Sequence, residues 1–197
     1  MAKNKLTIEL IPKTCWFSSV RTTVRPKDWD MIRFISYEAA GHKCEICGDT
    51  GKNQGYGHNV ECHEIWEYDD IYFVQRLAGL ISLCVRCHQV KHIGRAIRLG
   101  KLNECVKHLA KVNKWTKEEI DAHLEESFDT YKQRSKFEWT LDLSILNEEP
   151  YNLKINTKKA RVFEVKKYKK KRKPKKKAVA KKTTAKKVIN KRPAKKR

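Results

Sequence analysis

Seven cysteine and histidine side chains between residues 44 and 92 of the chain fall in a pattern that could ligate metal. Cys44 and Cys47 form one CxxC pair, Cys84 and Cys87 form a second, and His63 lies between them. His88 and His92 follow directly after the second pair. Two CxxC pairs point to zinc, because each pair grips one side of the ion and four thiolates close a tetrahedral structural site. A disulfide framework or loose reduced thiols fit less well. The opening MAKNKLTIEL has no long apolar run, so no secretory leader is expected, and the cysteine count, seven, is odd. Cys15, Cys62 and Cys105 are left over and read as reduced, buried cysteines.

The histidines ask for a second metal. Val85, Val90, Ile93 and Ile97 recur at roughly helical spacing and predict a helix over residues 85–98. On that helix His88 and His92 are four apart and project from one face. Neutral imidazole suits divalent transition metals. The helix would start at the zinc cysteines, so zinc would fix where the two rings stand. With a residue from the preceding segment, they could form an open site that keeps a position for water or substrate.

The run CEIC, then VECHEI, then LISLCVRCHQVKH resembles the HNH endonucleases, the ββα-metal nucleases, over roughly residues 41–95. The resemblance implies an antiparallel hairpin carrying a catalytic His, followed by a helix carrying further ligands. It assigns Cys44, Cys47, Cys84 and Cys87 to structural Zn2+. It assigns His88 and His92 to a catalytic divalent cation (Mg2+, Mn2+, Ni2+ or Zn2+) or to the scissile phosphate. The implied activity is hydrolysis of DNA phosphodiesters to 5′-phosphate and 3′-hydroxyl ends. Two positions depart from the family pattern. Where the family has His-His or Asp-His, with the second residue as general base, this chain has Cys62-His63-Glu64. One alignment makes His63 the ligand and Glu64 the base; the other makes His63 the base and puts Cys62 in the ligand position. Chemistry favours His63 as base, since imidazole titrates near neutrality while a cation would lower the Glu64 pKa. Glu64 is then a ligand or orienting group. The family's Asn, five residues before the third cysteine, is replaced by Gly79, so the base must be oriented from elsewhere.

Other segments must position these groups. Residues 5–11 alternate and read as a strand. Residues 28–40 read as a helix with Trp29, Ile32, Ile35 and Ala39 on one face, stopped by Gly41. The glycine-rich residues 48–57 lack a phosphate-loop pattern and read as the turn into the hairpin. His58 stands at the start of its first strand. Trp66 is expected to pack the hairpin on the helix, with Glu67, Asp69 and Asp70 solvated. Residues 71–83 are the most apolar stretch and read as core. Further helices are expected over residues 102–115 and, from a Thr116–Glu119 capping box, to about residue 132. Residues 137–145 alternate and read as a closing strand that could pair with residues 5–11.

Charge divides the chain. Its 197 residues carry a formal +22. Residues 154–197 hold 23 Lys/Arg and one acid, Glu164, so they account for the whole excess. This Lys/Ala-rich segment resembles linker-histone tails and cannot bury a core, so it is expected to be disordered. Its block Lys169, Lys170, Lys171, Arg172, Lys173, Lys175, Lys176 and Lys177 fits DNA phosphates bound through counterion release. An import signal or a solubility tail would share that composition. No apolar run is long enough for a membrane span. The reading is an α+β protein: a strand-and-helix scaffold over residues 1–40, the zinc-stapled ββα-metal module over 41–98, a helical and strand extension over 99–153, and the basic tail. The expected setting is intracellular and DNA-associated, in cytoplasm or nucleoid, nucleus or virion. The rival reading is a non-catalytic zinc protein that binds or packages DNA.

Overall fold

The structure is a computed structural model that describes residues 6–155. The basic segment, including Lys169 to Lys177, lies outside the described residues. Within them, six α-helices and a three-stranded sheet make a mixed α+β fold.

Helix α1 (Val20–Thr23) leads into α2 (Pro26–Ala39). Pro26 opens α2, where its missing N–H costs nothing, and Asp28 in the first turn favours the helix dipole. Gly41 and His42 then take positive φ of 56° and 57° and turn the chain into Cys44. Strands β1 (Glu61–Asp69) and β2 (Val74–Leu83) form an antiparallel hairpin. The register shifts between Ile65 and Trp66, which face Gly79 and Leu77. Ala78 is the extra residue of this bulge, so side chains on β2 change faces there. Leu77 thereby joins the core with Val20 and Ile32, while Ile81 and Leu83 join the other core with Leu6 and Val90. Gly79 occupies the bulge, a place where glycine is at home in a strand.

Helix α3 (Val85–Lys91) follows β2 directly. The helix expected over residues 85–98 is interrupted: His92 has φ −97° and ψ 42°, and α4 (Ile93–Arg98) starts after it. Helices α5 (Leu102–Asn113) and α6 (Lys117–Arg134) complete that face. The Thr116 capping box forms in both directions: Glu119 N–H donates to Thr116 Oγ1 at 3.3 Å, and Thr116 N–H donates to Glu119 Oε2 at 2.7 Å.

The two outer segments differ from expectation. Residues 6–10 make no strand. Their backbone groups bond to helices instead: Leu6 N–H to Asn113 Oδ1 at 2.9 Å, Ile8 N–H to His123 Nε2 at 2.9 Å, and Glu9 N–H to the Lys91 carbonyl at 3.2 Å. Side chains on α5 and α6 supply what a neighbouring strand would have. The closing strand β3 (Thr140–Asp142) pairs in parallel with Val74–Arg76 of β2 rather than with the N-terminal segment. Ile71 and Tyr72, expected in the core, are 80% and 76% exposed at the hairpin tip. There Asp69 Oδ1 accepts from both their N–H groups and fixes a tight turn.

Candidate metal centres

The first centre forms where two tight turns meet. Cys44 and Cys47 lie in a loop closed by Gly48 N–H donating to the Cys44 carbonyl at 2.8 Å. Cys84 caps α3 and Cys87 lies in its first turn. The four sulfurs lie within 4.8 Å of one another, and Cys47 Sγ is 3.5 Å from Cys84 Sγ. A tetrahedron with metal–sulfur distances of about 2.3 Å has edges of about 3.8 Å. The donor set therefore fits a structural ion such as zinc. His108 of α5 adds a contact that the spacing did not reveal: its Nε2 lies 3.2 Å from Cys87 Sγ. Hydrogen bonds among the four thiols lower the pKa of Cys84 and of Cys44, the latter to about 6, and raise those of Cys47 and Cys87. Among the leftover cysteines, Cys15 and Cys105 are buried and Cys62 is partly exposed. Burial pushes the Cys62 thiol up to about 12. As the neighbour of His63 on β1, Cys62 faces the opposite side of the sheet.

The second centre joins β1 to α3. His63, His88 and His92 bring ring nitrogens within 4.8 Å of one another. The ring centroids are 4.7 to 5.2 Å apart, and each pair of rings meets nearly edge to face. Burial, then the neighbouring imidazoles, lowers the His92 pKa to about 3. Burial also lowers that of His63. Neutral rings are the ligand form of histidine.

Two of the three rings are backed by carboxylates. Glu9 Oε2 lies 3.0 Å from His63 Nε2, and Glu61 Oε2 lies 2.5 Å from His88 Nδ1. A carboxylate takes the N–H of a ring, so the opposite nitrogen of each keeps its lone pair. That leaves Nδ1 of His63 and Nε2 of His88 as acceptors or ligands. Glu9 also bonds the Lys91 ammonium, which reaches Thr7 Oγ1 at 3.0 Å as well. Burial would raise the Glu9 pKa, but the hydrogen bond from His63 and the charge of Lys91 bring it to about 2. Glu61 Oε1 extends the chain to the exposed His58, at 3.1 Å.

Glu64 is not part of the ligand-atom cluster of the three rings, although it lines the same groove as His92. It projects from the opposite face of β1, and its Oε1 accepts from Val20 N–H at 2.7 Å, at the start of α1. Burial raises its pKa against the backbone N–H groups of Val20 and Arg21. Of the residues singled out in sequence, the structure brings together the four cysteines and, separately, the three histidines. It does not bring Glu64 to either group.

Glu9, Glu61, Lys91 and His108 were missed by sequence reasoning. Glu61 had a signal, since it lies two residues before His63 and so on the same face of a strand. Glu9, Lys91 and His108 had none. A polar clasp between α2 and the hairpin, Ser36 Oγ to Ser82 Oγ at 2.8 Å and Ser82 Oγ donating to the Ser36 carbonyl at 2.9 Å, lies on the far face. Among the described residues no helix is long and apolar enough to cross a membrane.

Comparison of the chain with family models, with curated proteins and with solved structures gives no match. The two centres therefore rest on their own geometry.

Proposed function

We propose that the protein is a metal-dependent endonuclease of the HNH type that hydrolyses DNA phosphodiesters. One observation carries the reading: three imidazoles, His63 buried and His88 and His92 partly exposed, bring their nitrogens together, and two of them are oriented by carboxylates. A four-cysteine structural centre has no need of them. The order of elements also suits the family resemblance, with His63 on a hairpin and His88 and His92 on and just after the helix that follows it.

In this reading His88 and His92 hold a divalent cation. When bound, that cation would polarise the phosphoryl oxygens and offset charge on the leaving oxygen. His63 accepts the proton of the attacking water at Nδ1, because Glu9 holds its Nε2–H. Glu9 thus supplies the orientation that Gly79 cannot. Lys91 keeps Glu9 ionised and in place. Burial of His92 and His63 keeps both rings neutral and able to accept a proton or a cation. Glu64 takes no part in the chemistry; its carboxylate accepts the Val20 N–H at the start of α1, beside the Ser19 cap. The four-cysteine centre locks the hairpin to α3 and so sets His63 against His88. The lysine-rich segment would hold DNA without reading its sequence.

Supercoiled plasmid incubated with the full chain and Mg2+, Mn2+ or Ni2+ should be nicked, and chelation should stop it. Intact plasmid and intact single-stranded DNA with every metal would overturn the reading in favour of a non-catalytic DNA-binding zinc protein.

A further inference from the structure

A groove of about 590 Å³ opens beside the histidine cluster, within the range of roughly 300–1,000 Å³ typical of small-ligand sites. It lies against β1, an edge strand of the sheet, and His92 belongs both to its lining and to the cluster. Its lining includes Arg95 and Arg98 of α4, Trp16, and Tyr131 of α6. Trp16 is 49% exposed, yet its ring is fixed, because Nε1–H donates to the Ile11 carbonyl at 2.9 Å. A tryptophan whose N–H is already satisfied still has its faces to offer. Arg95 and Arg98 are exposed and make no salt bridge among the described residues. The acids in the same groove are already occupied: Glu9 by His63 and Lys91, Glu64 by Val20 N–H.

We propose that this groove binds one unpaired nucleotide of a DNA strand, its base stacked on Trp16 and its phosphate held by Arg95 and Arg98. Two features select that occupant. The guanidinium pair needs an anion, and a phosphodiester fits it in charge and geometry. The lining is mainly apolar and aromatic, which a duplex backbone cannot use but an unstacked base can. Every base has a π-face, so the groove tolerates any sequence. Because His92 joins groove and cluster, a nucleotide seated here would place the adjoining phosphate at the three imidazoles. The inference rests on the nuclease reading and narrows its substrate to DNA with an unpaired base beside the cleaved bond, such as a single strand, flap or bulge.

The test uses the full chain with no divalent cation added. The probe is an oligonucleotide carrying 2-aminopurine, whose fluorescence is quenched on stacking, either single-stranded or paired within a duplex. The single-stranded probe should be quenched and the duplex probe should not. Trp16→Ala should remove the quenching and weaken single-strand binding by about 5- to 150-fold, the loss that follows removal of a base–aromatic stack. Trp16→Phe should retain most of both, which separates loss of the stack from loss of fold. Equal quenching by wild type and Trp16→Ala, or equal quenching of single-stranded and duplex probes, would overturn the proposal. The two readings fail separately. Trp16-dependent quenching with neither plasmid nor single-stranded oligonucleotide cut under any metal leaves the groove standing and removes the nuclease. Nicking without Trp16-dependent quenching removes the groove and leaves the nuclease.

Discussion

Glu9 Oε2 meets His63 Nε2 at 3.0 Å across 54 residues of chain. The contact fixes which nitrogen of the base is free, and it comes from a segment that belongs to neither the hairpin nor the helix. Glu9→Gln keeps the shape and removes the charge. It should lower the nicking rate by about 10- to 100-fold, as loss of an orienting carboxylate does. Zinc content should be unchanged, and the pH optimum should move. Rate against pH for both proteins checks this; an unchanged rate would remove Glu9 from the mechanism.

His63 and His88 should separate in kinetics. His63→Ala should cut nicking by about 100- to 10,000-fold, the usual contribution of a general base, with DNA binding nearly intact. His88→Ala should instead raise the cation concentration needed for half-maximal rate. Titrating Mn2+ against each variant distinguishes them. If His63→Ala behaves like His88→Ala, His63 is a third ligand rather than the base.

Glu64 provides the contrasting case. Its carboxylate accepts the N–H of Val20. Glu64→Ala, which removes the acceptor, should leave nicking within about twofold of wild type and cost roughly 0.5–2 kcal/mol of stability, as loss of a side-chain acceptor at a helix start does. Thermal melts and nicking on the same sample test it. A rate that collapses while the melt is unchanged would return Glu64 to the active site.

The cysteine centre should hold about one zinc per chain, and Cys44→Ser or Cys87→Ser should unfold the hairpin and α3, because structural zinc binding is folding free energy. His108→Ala should weaken zinc retention by about 10-fold, the lower end for a partner outside the ligand set. Competition with a chromogenic chelator measures both. Stable, metal-free cysteine variants would sink the zinc assignment.

Acid should weaken the fold through His92. Its pKa lies near 3 when folded against an ordinary 6.5. Between those values the unfolded chain takes up a proton that the folded chain refuses, so stability falls as pH falls through that window. Glu9, lowered from 4.5 to about 2, acts in the same direction: its stabilising share is present above 4.5 and lost on further acidification. His92→Gln has no such proton to take up. Its Tm should fall less steeply than that of wild type as pH drops below 6.5. Comparing the two cancels acid loss of zinc, which both share.

Much of this protein was determined by the sequence alone. Ligand identity and short spacing are local properties, so the cysteine pairs and the His88/His92 pair could be read directly, as could α2, α5 and the capped start of α6. Charge could be read too, because it is a sum: residues 154–197 hold 23 basic residues and one acid whatever the fold. The tertiary structure decided the rest. Residues 6–10 alternate like a strand, yet Asn113, His123 and Lys91 satisfy their backbone groups better than a sheet edge would. The bulge opposite Ile65 and Trp66 set which core each half of β2 faces. Glu64 and His63 are neighbours in sequence, and a strand sends neighbours to opposite faces, so only one of them reached the imidazoles. Glu9 and Lys91 became part of the site because packing of the N-terminal segment against α3 brought them there, and no local pattern encodes a contact across that much chain.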